Sequence, residues 1–348
     1  MKKGLLFVIL IIIFSMIFFW ISREKKPNII TLMTHDSFAV SQTLLDDFQK
    51  QVGAEIKIIK SGDAGAALNQ AILSKKNPLA DVFFGVDNTF MSRALSEGIF
   101  EPYESPFLKK IPKSLKLDPS NRLLPVDYGD VCLNYDKSWF SRKGLVPPAG
   151  LDDLIKPAYK GLTIVQNPAT SSPGLAFLIT TVGKYGAPGY LDYWKKLRTN
   201  DVYVTAGWSE AYYGKFSRAK GGTRPIVVSY ASSPAAEVYY SEKTLADTPT
   251  AGVLGTGSAF RQIEFAGILA NTAKKELAKK LIDFMLSPAF QKDIPLHMWV
   301  FPANPETVLP DVFRKYAQKA AFPIMLQPET IEKGREKWIE AWTDVVLR

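Results

Sequence analysis

The sequence predicts an α/β protein of two domains with mainly parallel sheets, and three observations carry that expectation. Short β-branched and aromatic runs alternate with segments of helical periodicity along the chain, the pattern of strands covered by helices. The 348 residues exceed what one core of ordinary size needs. No internal repeat or low-complexity linker divides them, so the chain is expected to cross between its two domains more than once.

The elements follow in order. Ile29 to Met33 reads as a short strand, Ser41 to Gln51 as a helix, Ala54 to Lys60 as a half-buried strand by its apolar–polar alternation, and Gly65 to Lys75 as a helix. Asp81 to Val86 is an apolar strand, followed by a helix over Met91 to Glu97. A strand is expected around Cys132, after Asp130. Helices are predicted over Leu151 to Tyr159, Leu175 to Tyr185, Tyr190 to Arg198 and Ala211 to Arg218. Strands at Leu162 to Gln166, Asp201 to Thr205 and Pro225 to Tyr230 interleave with them. From Asn271 the tail is mostly helical, with Leu277, Leu281, Phe284 and Met285 as an apolar stripe at helical spacing.

Composition excludes several classes of function. The chain is 47% hydrophobic and 22% charged, the profile of a folded protein. Its net charge of +9 is concentrated at the N-terminus: beyond residue 26 the balance is 38 basic against 33 acidic residues, a net +5. Without a dense basic run interleaved with aromatics, nucleic acid is not an expected partner. The single cysteine, Cys132, excludes an intrachain disulfide framework, and two histidines, His35 and His297, leave little room for a His-based metal site. Lys2 and Lys3 precede an apolar run from Leu5 to Ile21, broken only by Ser15, and Arg23, Lys25 and Lys26 follow it. This is an export signal. It falls just short of the roughly 20 residues that span a bilayer, no small-x-small cleavage motif follows, and no nearby cysteine can carry a lipid. We read residues 1–26 as an uncleaved anchor, with cleavage as the alternative, and everything after residue 27 as lying on one side of the membrane, its outer face.

Enzyme motifs are sparse. No Walker loop, HExxH or GxSxG occurs; Gly207-Trp208-Ser209-Glu210-Ala211 lacks the final glycine of a nucleophile elbow, and Gly255-Thr256-Gly257 is half of a dinucleotide fingerprint. Ser217-Arg218-Ala219-Lys220 matches a serine-lysine tetrad without its partner motifs. No catalytic residue, metal or cofactor is expected. Asp36, Asp63, Asp87 and Asp127 sit near predicted strand ends, where open α/β sheets bind ligands, although most read as turn formers and helix caps. Three strand-to-helix turns are richer. Asn167 to Gly174 follows a strand and opens a helix, with Ser172 as N-cap and Pro173 at the first helical position. Free N–H groups there suit an anion or a hydroxyl. Tyr230-Ala231-Ser232-Ser233-Pro234 repeats the arrangement, and Ala206 to Tyr213 sets one tryptophan and two tyrosines just past a strand end.

Five strings carry a resemblance: Thr34-His35-Asp36-Ser37-Phe38, Ala80 to Asn88, Val126-Asp127-Tyr128-Gly129, Gly207 to Tyr212, and Ser229-Tyr230-Ala231-Ser232-Ser233-Pro234. From about residue 29 to the C-terminus the chain resembles the thiamine-binding periplasmic proteins of thiamine ABC importers. Leu286-Ser287-Pro288-Ala289-Phe290-Gln291, Trp299 and Phe301-Pro302-Ala303-Asn304 look like the signature of the wider extracellular solute-binding family. The resemblance implies a two-lobed, type II periplasmic-binding fold that closes by hinge bending on thiamine or its mono- or diphosphate and delivers it to an ABC permease. It implies a first lobe of residues 28–125 and 255–300, a second of 126–254, and C-terminal helices over 301–348. The hinge strands fall near Pro125 to Tyr128 and Leu254 to Arg261. By position the ligand contacts fall on Asp63 and Ala64, on Ser171 and Ser172, on Trp208, on Tyr230, Ala231, Ser232 and Ser233, and on Trp299. His35 stands where the family has tyrosine and Ala64 where it has glycine, and either change could retune affinity or the choice between free and phosphorylated vitamin. The chemistry is congruent: a thiazolium cation and a flat aminopyrimidine need aromatic faces, which Trp208, Tyr230 and Trp299 supply, and a carboxylate, for which Asp63 is placed. Two alternatives remain at this level. A ferric-ion receptor would use the paired tyrosines Tyr212-Tyr213 or Tyr239-Tyr240, although helical neighbours point to different faces. A thiamine-processing enzyme would need a nucleophilic cysteine, and Cys132 lies inside a strand.

Overall fold

Eleven strands form one mixed sheet in the computed structural model, which describes residues 28–348. The expected N-terminal anchor lies outside the described residues. Among the described residues no helix is long and apolar enough to cross a membrane. The strands are β1 (Ile29–Thr34), β2 (Glu55–Lys60), β3 (Val82–Asp87), β4 (Phe100–Glu101), β5 (Leu124–Asp136), β6 (Thr163–Gln166), β7 (Tyr203–Thr205), β8 (Ile226–Tyr230), β9 (Thr250–Val253), β10 (Ala259–Leu269) and β11 (Phe301–Pro302). Their main order is β2-β1-β3-β10-β5-β8-β6-β7.

Each end of the sheet is parallel and its middle is not. β1 pairs parallel with β2 and β3 at one end, and β6 pairs parallel with β7 and β8 at the other. Between them β10 runs antiparallel to both β3 and β5, and β5 runs antiparallel to β8. The parallel strands are joined by helices, as such connections require. The sequence Val82-Phe83-Phe84-Gly85-Val86-Asp87 is buried at every position, which accounts for its continuous apolar character: both faces of β3 are covered. β2, by contrast, is an edge strand whose alternate residues reach solvent, and its sequence alternates accordingly.

Most expected helices are present, with three corrections that have local causes. Leu151 to Tyr159 forms two short 3-10 turns, Leu151–Asp153 and Pro157–Tyr159, because Pro157 lacks the N–H that a continuing helix would use. The helix expected from Ala211 begins at Trp208 and passes into a π-helical turn over Ala211–Lys215. In helix Ser172–Thr199 the N-cap is Ser171, whose hydroxyl accepts from the Gly174 N–H, so Ser172 is the first helical residue rather than the cap. That helix is broken at Gly186 and Ala187, just before Pro188, into the two arms the periodicity predicts.

The tail is helical as expected, over Lys275–Leu286, Pro288–His297, Asp311–Tyr316 and Pro328–Val346. Leu281 and Met285 are buried, and Phe284 stacks on Phe48 with ring centroids 4.4 Å apart. The last helix touches both ends of the molecule. Its Trp342, fully buried, packs edge-on against Trp194 at 5.6 Å, while the Arg335 guanidinium lies over the Phe90 ring at 5.6 Å. Trp342→Ala is expected to lower unfolding stability by roughly 3–5 kcal/mol, the range for a large aromatic deleted from a core. A urea titration showing a loss under about 1 kcal/mol would contradict this placement of the helix.

Candidate ligand-binding site

A cavity of ≈ 470 Å³ opens beside the β5–β10 pair, between the two parallel ends of the sheet. Its size is that of a small-molecule site. Of the residues the sequence nominated, His35, Asp63, Ser172, Trp208, Tyr230, Ser233 and Trp299 line it. Ala64, Ser171, Ala231 and Ser232 are buried behind that wall.

Three aromatics are fixed around the cavity by different devices. The Trp208 ring stacks on Tyr212 at 5.0 Å and meets Tyr213 edge-on at 5.3 Å, and its indole N–H donates to Ser229 Oγ at 2.9 Å. One face of the indole is thus occupied and its orientation set, leaving the other face for a ligand. Tyr230 ends β8, and its hydroxyl donates to Gln262 Oε1 at 2.6 Å. Beneath the Tyr230 ring lies Gly129, where a Cβ would stand 2.9 Å from Cδ1. Trp299 has a left-handed backbone, φ +58°, unusual for a bulky residue. Ser232 holds that conformation by donating its hydroxyl to the Trp299 carbonyl at 2.5 Å, and Tyr239 and Tyr240 flank the indole at 5.3 and 5.5 Å. The role of Ser232 is therefore to place Trp299.

Asp63 joins the two sides of the cavity. It is the N-cap of helix Ala64–Leu73, accepting the Ala64 N–H on Oδ1 at 2.7 Å, and on Oδ2 it accepts the Trp208 backbone N–H at 2.8 Å. Two more contacts close the same seam: the Ser37 and Ser209 hydroxyls lie 3.2 Å apart, and the Ala66 N–H donates to the Thr170 carbonyl at 3.1 Å. Residue 65 must be glycine for this approach, because a Cβ there would lie 2.8 Å from the Thr170 oxygen.

The floor is acidic. Glu264 on β10 faces Asp127 on β5 across the ladder, and Asp87 ends β3 nearby. His35 lies over this floor with Nε2 3.4 Å from Glu264 Oε1. Its ring fits because residue 85 is a glycine at φ +109°; a Cβ there would stand 2.5 Å from His35 Cδ2. Burial pushes Asp87 up to about 6, although Thr89, Phe90 and Gln262 all donate to it. Burial, and then the Glu264 charge, push Asp127 well above the usual carboxylate range. Neither Asp127 oxygen receives a hydrogen bond, as suits a carboxyl that keeps its proton. Burial lowers His35, but Glu264, with smaller help from Asp63 and Asp36, outweighs it and leaves the imidazole raised. Burial also raises Asp63, against the pull of its two N–H donors.

Sequence reasoning missed Glu264. Its signal is an acid inside the strand run Ile263-Glu264-Phe265-Ala266-Gly267-Ile268-Leu269, where every other residue is apolar. Tyr212, Tyr213 and Tyr240 also reach the cavity, with Glu237, Arg218 and Lys220. The tyrosine pairs do not act as pairs: the Tyr212 hydroxyl donates to Glu237 at 2.8 Å, and the Tyr239 and Tyr240 rings are perpendicular. Among the described residues no cluster of three or more His, Cys, Asp or Glu is arranged to hold a metal ion. Cys132 is fully buried in β5, and burial and Asp130 push its thiol far up, so it offers no thiolate.

A carboxyl that holds its proton more tightly when folded contributes stability below its unfolded pKa and loses it as pH rises through the folded value. Asp127→Asn should therefore gain stability over the wild type as pH rises above the ordinary carboxylate range, by up to about 1.4 kcal/mol per pH unit. Urea denaturation of both proteins at pH 4, 6 and 8 measures this, and a difference that does not change with pH would contradict it.

Comparison with known proteins agrees with this architecture. Residues 77–327 match the family described as bacterial extracellular solute-binding protein. The thiamine-binding periplasmic protein of Salmonella typhimurium is 33% identical over 330 residues, covering 93% of this chain and 94% of that protein. Its counterpart in Escherichia coli is also 33% identical over 330 residues, with the same coverage. A solved periplasmic thiamin binding protein superposes with a TM-score of 0.83 at 30% identity, covering 93% of this chain and 98% of that one. The curled mixed sheet is thus that of the type II periplasmic-binding proteins, and the chain belongs to the bacterial extracellular solute-binding protein family.

Proposed function

We propose that the protein captures thiamine, or its mono- or diphosphate, between two lobes and hands it to an ABC permease at the outer face of the cytoplasmic membrane. The observation that carries this reading is the convergence of Trp208, Tyr230 and Trp299 on one cavity above a floor of carboxyl groups. A fixed thiazolium cation gains about 0.5–2 kcal/mol from each aromatic face it meets, more as water is excluded. The names of the relatives point to the same vitamin. Arg218 and Lys220 at the cavity suit the phosphorylated forms, alongside the N–H groups at the start of helix Ser172–Thr199.

The lobes of this reading are residues 28–125 with 255–300, and 126–254, with the C-terminal helices over 301–348 packing on both. The hinge segments of this reading, near Pro125 to Tyr128 and Leu254 to Arg261, overlap β5 and the start of β10, strands in the middle of the sheet. Closure would be favoured by a ligand that touches both lobes, with the Asp63–Trp208 bond as a latch at the seam. The N-terminal segment, retained as an anchor, would hold the receptor near its permease and raise its effective concentration. The protein acts by binding alone: the buried Cys132 is no nucleophile, and intact thiamine should be recovered after long incubation.

Calorimetric titration with thiamine, its monophosphate and its diphosphate, with spermidine and ferric citrate as controls, tests the reading. Submicromolar binding of one thiamine form is expected, and binding of a control alone would refute it. Trp208→Ala should weaken the preferred form at least about tenfold, about 1.4 kcal/mol. Unchanged affinity would remove Trp208 from the site.

A further inference from the structure

Every acid near the cavity except one is already engaged. Asp63 spends one oxygen on the Ala64 N–H and the other on the Trp208 N–H. Glu237 accepts from the Tyr212 hydroxyl and pairs with Arg218. Asp87 has its own ring of donors, and Asp127 lies behind the wall. Glu264 lines the cavity and is 6% exposed; Asp127 lies opposite it on β5, and the His35 Nε2 stands 3.4 Å from its Oε1, a contact longer than an ordinary N–H···O bond. His35, 7% exposed, lines the same space, and its Nε2 makes no contact shorter than that one. A buried carboxylate without a donor costs free energy that a ligand's N–H group can recover.

We propose that Glu264 is the specificity-determining acceptor of the site, reading the exocyclic amino group of an aminopyrimidine at the cavity floor while the aromatic faces hold the cation. This rests on the thiamine reading above and refines it: the sequence nominated Asp63 as the site's carboxylate, but each of its oxygens already accepts a backbone N–H that ties the two sides of the cavity together. The cation needs no carboxylate once aromatic faces surround it, whereas an amino group needs an acceptor. The Glu264 oxygens at the cavity can accept a donor but repel a group that presents an oxygen lone pair. His35 sets the position of Glu264 from the opposite side.

The test compares thiamine with its 4-oxo analogue, which keeps the thiazolium and replaces the amino group by a carbonyl. The wild type should prefer thiamine at least about tenfold. In Glu264→Gln the preference should fall below about threefold, because the amide can donate to the carbonyl as well as accept from the amine. Glu264→Asp, which retains the carboxylate, should keep most of the preference. A wild-type chain that binds both compounds equally, or a Glu264→Gln chain that discriminates as the wild type does, would overturn the proposal and leave the thiamine reading standing. A wild-type chain that binds neither would overturn both. Melting curves of the variants with saturating thiamine separate a folding defect from a lost contact, and Glu264→Asp carries the test if Glu264→Gln does not fold.

Discussion

The antiparallel pairing of β5 and β10 is the interaction on which the rest of the structure depends. Its eight registered residue pairs, from Leu124 opposite Ala266 to Cys132 opposite Ala259, form the spine to which both parallel ends of the sheet attach. β10 offers its other edge to β3, and β5 offers its farther half to β8 and β9. Because strands of such length supply backbone bonds to both sides, each end can be a packed α/β layer without a separate linker. The cavity lies where those ends face each other, and the groups that fill its floor come from the spine itself.

That origin explains the chemistry of the floor. Residues on a strand alternate faces, so opposed positions on β5 and β10 put Asp127 and Glu264 on the same face, with Glu264 reaching the cavity and Asp127 buried behind it. Burial there disfavours charge, and two adjacent carboxyls disfavour a second charge still more. Asp127 is thereby pushed toward its neutral form, with Glu264 opposite it and the His35 Nε2 3.4 Å from Glu264 Oε1.

The fold was largely legible because its strands are either uniformly apolar, as β3 is, or alternating, as β2 is, and its helices carry clear start signals such as Ser-Pro. Errors fell where a proline or a π-turn overrides periodicity, at Pro157 and at Ala211–Lys215. The antiparallel middle was not legible, since strand direction depends on which distant strands meet. At the cavity, Trp208 and Tyr230 stand in motifs at strand ends that the sequence displays, whereas Trp299 was nominated by the family resemblance alone. Glu264 was not legible, because a charged residue in a strand acquires meaning only when its cross-strand neighbour is known. Ser232 and Asp63 have contacts that only geometry assigns: one bonds the Trp299 carbonyl, the other ties Trp208 to the opposite end of the sheet.

In the proposed mechanism of capture, two ends of one sheet, hinged on β5 and β10, close over a thiamine-like cation. Small-angle X-ray scattering of the protein with and without saturating thiamine tests it most directly. The radius of gyration should fall on adding thiamine and stay constant on adding spermidine. An unchanged radius in the presence of thiamine bound at full occupancy would contradict closure as the mechanism of capture.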